Sequence, residues 1–279
     1  MSKITLEKNG AKAIINSEQG ATLEYLELRN TIIIQPLKIP YGKSFASAIM
    51  FPFVNRVQDS TYKFKNNTFQ LQKTQGFKTA IHGLIYNKRF KLINDSENKS
   101  EVSLYYESKG DAEGFPFKYR IEVKYKLTHS NLTLNLKVEN IDQEEFPFSI
   151  GWHPYFFVGD LKKTSLKLNS TSKLAVDGEM MPTHIEPFEW YDFRSLDNTS
   201  YDDTFKTEAE EIDLKTDRYQ LKISSQPACE YIQLFIPPER EFVAIEPMTA
   251  PANAFNNKIG LKTLQPEEEF KMEWKLELM

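Results

Sequence analysis

Cysteine is nearly absent from this chain of 279 residues: there is one, Cys229, so no intramolecular disulfide can form and no CxxC pair offers a thiolate metal site. A packed, structural thiol is its expected role, because free cysteine behaves as a small hydrophobe. Long hydrophobic runs are missing too. No stretch approaches the roughly 18 apolar residues of a membrane span, and the opening MSKITLEKNGAKAIINSEQG has no apolar segment behind its first lysine of the kind a secretory signal carries. A cytoplasmic protein with no membrane partner is the expectation. Basic runs are also lacking, and a net charge of −4 spread along the chain argues against a nucleic-acid partner. A small neutral or weakly charged ligand fits this balance better.

Helical periodicity is scarce. No long segment repeats apolar residues every 3.6 positions, and Thr207 to Lys215 is too acidic and short to be more than a surface turn or helical fragment. Period-two alternation dominates instead. It is clearest at Lys118 to Thr128, where Tyr119, Ile121, Val123, Tyr125 and Leu127 share one face, and at Asn131 to Asn140, where Leu132, Leu134, Leu136 and Val138 do. The His129-Ser130 step between them reads as a hairpin turn. Shorter alternating runs occur at Val102 to Tyr106, Ser165 to Leu168, Tyr219 to Ile223, Tyr231 to Phe235 and Phe270 to Leu278, separated by Asn, Asp, Gly, Ser and Pro clusters. This rhythm predicts an all-β sandwich or barrel with few short helices. No linker or repeat divides the chain, so residues 1–279 are expected to form one domain, with Asn94 to Glu101 as an exposed loop.

Several signatures are absent. There is no GxSxG, no GxxxxGK[ST] and no GxGxxG, which removes the local signals for a serine hydrolase, an NTPase and a dinucleotide enzyme. HxH and HExxH are missing, so no metal site is expected. What is present is a set of polar groups inside apolar, Pro-rich runs, where an idle charge would be costly to bury. Asn55 and Arg56 follow Phe51-Pro-Phe-Val; the guanidinium either donates to ligand oxygens or sits in a partly buried salt bridge. His82 lies in Ala80-Ile-His-Gly-Leu84 and His153 in Gly151-Trp-His-Pro-Tyr-Phe156, beside the Gly and Pro residues that end strands. Each imidazole either projects into a pocket, where it can move a proton near neutral pH, or is hydrogen-bonded structurally. Glu246 ends an apolar run directly before Pro247, either as a general base tuned by burial or as a carboxylate satisfied by a nearby Lys or Arg. Asp202-Asp203 offers a further acceptor, while His129 and His184 lack such surroundings and are expected to face solvent.

Taken in order, PFVNR, IHG, GWHPYF, DDTF and EPMTAPANAF resemble the aldose 1-epimerase (galactose mutarotase) family. The resemblance extends to Gly20-Ala21 with the strand to Leu28, and to Gly114 to Phe117 with the two strands that follow. It implies a large antiparallel β-sandwich of the mutarotase type, a cofactor-free isomerase and an aldohexose substrate. By that resemblance Glu246 is the general base at the anomeric hydroxyl and His153 the acid at the ring oxygen. Arg56, with Asn55, and His82 hold the sugar, and Asp202 or its neighbour Asp203 accepts from its hydroxyls. The chain is shorter than the best-known galactose mutarotases, which leaves the preferred aldose open. A hexose-6-phosphate epimerase, with Lys88 and Arg89 supplying cations, and a non-catalytic carbohydrate-binding module are the alternatives. Paired carboxylates would also suit a glycosidase. Monomer and homodimer are both compatible with the sequence.

Overall fold

A computed structural model describes residues 2–93, 99–197, 199–207 and 210–279. The alternating segments become strands, and every strand pair among the described residues is antiparallel. In Asn131–Asn140 burial alternates at each residue, which turns Leu132, Leu134, Leu136 and Val138 inward and their polar neighbours outward. Its hairpin partner is Lys118–Leu127, with Leu127 opposite Leu132 across the His129-Ser130 turn. These two strands sit near the middle of a nine-stranded sheet that also contains Glu101–Lys109, Glu269–Leu278 and Gln220–Gln226.

A second sheet of eight strands faces it. Its central order is Ser170–Val176, Asp202–Thr207, Tyr231–Phe235, Phe242–Met248, Gly151–Trp152 and Ile49–Met50, with Tyr155–Phe157 also pairing to Phe242–Met248. Phe205, Ile232, Leu234, Ile245 and Trp152 from this sheet join Ile121, Leu134, Leu221 and Trp274 from the other in one continuous core. Trp152 and Trp274 meet across it with ring centroids 6.1 Å apart. Each such inward side chain contributes on the order of 2 kcal/mol by leaving water. Two sheets sharing one core make the expected sandwich. Among the described residues the helices are two single turns, Tyr41–Ser44 and Ala254–Asn257, plus two short 3₁₀ turns. No helix among the described residues is long and apolar enough to cross a membrane.

One expectation is corrected. Glu211–Lys215 is a strand paired with Gln220–Gln226, neither turn nor helix. Ile212 and Leu214 point into the core two residues apart, and that short alternation, masked by acidic neighbours, outweighs the local composition. Of the proposed loop at Asn94 to Glu101, residues 94–98 lie outside the described residues and Glu101 opens a strand. Gly20-Ala21 leads into Thr22–Leu28, which pairs antiparallel with Ala11–Asn16 in a four-stranded amino-terminal sheet. Cys229 is buried in the core, and His129 and His184 are exposed.

Gly83 shows how tightly the loops around the eight-stranded sheet are fixed. Its φ is +79°, and a Cβ there would lie 2.3 Å from the backbone oxygen of Phe51 and 2.5 Å from its nitrogen. Neither backbone atom can move without disturbing the Leu84 N–H bond to the same Phe51 oxygen. Gly83→Ala is therefore expected to cost on the order of 3 kcal/mol or more, lowering the melting temperature by roughly 6–12 °C in a thermal scan. A change of less than a degree would show that this loop is free to relax.

Candidate active site

Alternation that builds the core also builds the opposite face of the eight-stranded sheet. In Phe242–Met248 the odd residues Val243 and Ile245 enter the core, so Ala244, Glu246 and Met248 face away from it. Gln233 is directly opposite Glu246 on the neighbouring strand, and Thr204 is opposite Gln233 on the next. His153 follows Trp152, whose indole is in the core, and so faces the same side as Glu246. Pro154 interrupts the strand there, and the imidazole backbone is pinned instead by its N–H to Ala48 O and by Ser47 N–H to its own carbonyl, at 3.0 and 2.8 Å.

Above this face is a cleft of about 270 Å³ lined by Asn55, Arg56, His82, His153, Asp202 and Glu246, with Gln233, Tyr155, Phe45, Phe77, Ile81 and Lys43 among the rest of its wall. All six residues nominated from the sequence therefore share one cavity. Glu246 Oε1 is 3.3 Å from His153 Nε2, and both side chains are almost wholly buried. Each retains a polar atom, Glu246 Oε2 and His153 Nδ1, without a hydrogen-bond partner among the described residues. Buried polar atoms are normally paired, so two unpaired ones on adjoining groups point to a ligand position.

The second imidazole is held against the first. His82 adopts φ +59°, donates its backbone N–H to Asn55 O at 2.9 Å and places its ring edge-on to His153 with centroids 4.7 Å apart. Its Nδ1 is 3.0 Å from Met50 Sδ. Arg56 is braced by Asn55 Oδ1 at 3.0 Å and by Asn253, whose backbone N–H donates to Arg56 O. Arg56 forms no salt bridge among the described residues, which leaves its guanidinium directed to the cleft. Of the acidic doublet, Asp202 lines the cleft while Asp203 pairs with Lys173 at 3.5 Å.

Burial dominates the titration of these groups. It pushes Glu246 well above the carboxylate range, with Asp202 adding to the shift and Arg56 opposing it. It pulls His153 down to about 4, against a smaller upward pull from a backbone hydrogen bond. His82 is held well below the usual imidazole range by burial and by the neighbouring His153 and Arg56 charges. Asp202, open to solvent on one side, is raised by desolvation on the other; Arg56 opposes that shift, Asp203 adds to it and the Gln233 hydrogen bond opposes it. Opposite shifts on Glu246 and His153 leave one proton on the pair across a wide pH range. The ligand atoms of His82, His153 and Glu246 also lie within 4.8 Å of one another, so these are the residues that could hold a cation here.

Gln233 escaped the sequence reading. Its Nε2 donates to Asp202 Oδ1 at 2.7 Å while its Oε1 accepts from Thr204 Oγ1, which fixes the amide orientation and presents Asp202 to the cleft. The available signal was a lone polar residue inside the apolar run Tyr231-Ile-Gln-Leu-Phe235. Tyr155 was quoted within a motif but given no role; its ring stacks on His153 at 5.2 Å and 12°. Lys88 and Arg89 are not part of the cleft wall, and Arg89 pairs with Glu18 at 3.2 Å. The cations that do line it are Arg56 and the exposed Lys43.

Comparison with known proteins agrees with this architecture. The chain superposes on a candidate aldose 1-epimerase from Escherichia coli K12 with a TM-score of 0.87 and 19% identity, covering 99% of this chain and 98% of that one. It superposes on a galactose mutarotase-like protein from Clostridium acetobutylicum with a TM-score of 0.86 and 20% identity, covering 99% and 94%. In sequence it is 25% identical over 261 residues to the uncharacterized protein YihR of Escherichia coli, covering 88% of this chain and 83% of that one. Residues 2–277 match the family model for aldose 1-epimerase, and the chain belongs to that family.

Proposed function

We propose that the protein is a mutarotase that interconverts the α and β anomers of a free aldohexose by opening and reclosing the pyranose ring. The contact of Glu246 with His153 on the cleft wall, each buried and each with one unpaired polar atom, is the observation that carries this reading. The opposed shifts put the pair's one proton on Glu246 in the free protein, and the reaction starts from the other arrangement, reached with the sugar bound, in which that proton is on His153. Glu246 takes the proton from the anomeric hydroxyl, the C1–O5 bond breaks, and His153 gives its proton to O5. The product is the open-chain aldehyde, with the pair's proton now on Glu246. Rotation about C1–C2 turns the other carbonyl face to O5. O5 then attacks C1, His153 recovers its proton and Glu246 returns the other to O1. The pair exchanges no proton with solvent during the cycle.

Arg56 and His82 are assigned to the ring oxygen and sugar hydroxyls, where fixed donors stabilise developing negative charge. Asn55 orients Arg56, and Asp202, held by Gln233, accepts from hydroxyls. Phe45 and Phe77 offer rings to the apolar face of the sugar. A hexose 6-phosphate is the second reading, and the exposed Lys43 on the cleft wall favours it. Polarimetry of fresh α-D-glucose and α-D-galactose, beside an anomer-specific assay of glucose 6-phosphate, tests both. Acceleration of the free sugars supports the first reading, and acceleration of the phosphate ester alone supports the second.

The proton count also sets a pH dependence. The working pair carries one proton, so kcat/KM is expected to be flat through neutrality and to fall below about pH 4, as a second proton reaches His153. It falls again at alkaline pH, when the raised Glu246 carboxyl loses the shared proton. An acid limb centred near the ordinary histidine value of about 6.5 would show that His153 titrates as an exposed imidazole and contradict the buried pair.

A further inference from the structure

A second cavity, of about 170 Å³, lies beside the catalytic cleft, between the amino-terminal sheet and the segment 34–47. Leu23, Ile34, Leu37 and Ile39 are among its apolar lining. Thr22 and Ser47 line it as well, and they are 1% and 0% exposed. Neither hydroxyl has a hydrogen-bond partner among the described residues. Two unpaired buried hydroxyls at one cavity are a standing cost that ligand oxygens would remove, since each can donate once and accept. Gln19 and Gln35 add amides to the same wall.

Charge in this cavity is already committed. Glu24 pairs with Lys3 at 2.7 Å and accepts from Asn16 Nδ2 at 2.8 Å, so neither the carboxylate nor the ammonium is free to select an ion. A lining that combines apolar side chains with hydroxyls and amides suits a neutral ring with one apolar face and a rim of hydroxyls. We propose that this cavity is a second carbohydrate-binding site, which takes a neutral pyranose or cyclic polyol and is distinct from the catalytic cleft. Tyr155 and Ser44 line both cavities and form the partition. Occupancy reaches the catalytic side through Tyr155, stacked on His153, and through Ser47, whose N–H holds the His153 carbonyl.

The test reads binding, independently of turnover in the cleft. Methyl β-D-galactopyranoside, whose C1 is locked as a glycoside and cannot be anomerised, is titrated into protein with labelled Ile and Leu methyl groups. Ile34, Leu37 and Ile39 report on the second cavity and Ile81 on the cleft. Saturable shifts of the Ile34, Leu37 and Ile39 methyls are expected in the wild type and, unchanged, in Glu246→Gln. Thr22→Val keeps a β-branched residue in the strand and removes only the unpaired hydroxyl. It is expected to weaken the second-cavity titration at least about fivefold, the effect of one lost hydrogen bond, with the Ile81 titration unaltered. Pocket methyls that do not move, or that titrate identically in Thr22→Val, overturn the site. Pocket methyls that move while Ile81 stays still support it and count against the cleft as a sugar site.

Discussion

Glu246→Gln is expected to leave a folded protein whose anomerisation rate has fallen by at least about 10², and by as much as about 10⁴. The substitution keeps the shape of the side chain and its place opposite Gln233, so the strand pairing and the cavity survive. It removes the basicity. An amide oxygen cannot take the proton from the anomeric hydroxyl, and no second carboxylate replaces it, because Asp202 is tied to Gln233 across the cleft. Stability is expected to hold or rise slightly, since a buried carboxyl with an unpaired oxygen is exchanged for a neutral amide. Polarimetry or anomer-specific coupled assay reads the rate and thermal unfolding reads the fold. Near-normal turnover in a folded variant would remove Glu246 from the chemistry.

His153→Asn is expected to produce a loss of similar size, again about 10² or more, because asparagine cannot deliver a proton to the ring oxygen. The backbone bonds to Ala48 and Ser47 do not depend on the imidazole, so the loop stays in place. His82 is not a substitute: its edge meets His153, but its Nδ1 is against Met50 and burial holds its ring in the neutral form. The double variant Glu246→Gln/His153→Asn is more informative than either single one. Two groups that pass a single proton work as a unit, so the double variant is expected to be only a few-fold slower than the worse single variant, without the product of the two losses. Fully multiplicative effects would mean that the two residues act in separate steps.

How much of this was legible in the sequence follows from what each feature depends on. Period-two burial is local, so the strands at Lys118–Leu127 and Asn131–Asn140 and their turn could be read directly, and the antiparallel sandwich followed. Asn55, Arg56, His82, His153 and Glu246 stood out because they sit in apolar runs that carry Pro or Gly, whereas Asp202 was only one of an acidic doublet until the family resemblance gave it a role. Gln233 could not be recognised in the same way. Its role comes from the register that sets it opposite both Glu246 and Thr204, and cross-strand register between distant segments leaves no local trace. Glu211–Lys215 was obscured because its two inward residues, Ile212 and Leu214, are too few to establish a period among acidic neighbours. The choice of Asp202 over Asp203 needed the strand's facing, with Asp203 drawn to Lys173. The second cavity was invisible for a similar reason, since Thr22 and Ser47 come to line one cavity only when the amino-terminal sheet packs beside the loop before Ile49–Met50.

The central claim is that the Glu246–His153 pair opens and recloses an aldose ring, and anomer exchange at equilibrium tests it most directly. Magnetisation transfer between the α and β C1 protons of D-glucose and D-galactose, followed by NMR with wild-type protein and with Glu246→Gln, needs no coupling enzyme and no net reaction. The expected result is exchange well above the buffer rate for at least one of these sugars with the wild type, and exchange at or near the buffer rate with the variant. Wild-type exchange that Glu246→Gln leaves intact, or no acceleration of these sugars or of glucose 6-phosphate, would contradict it.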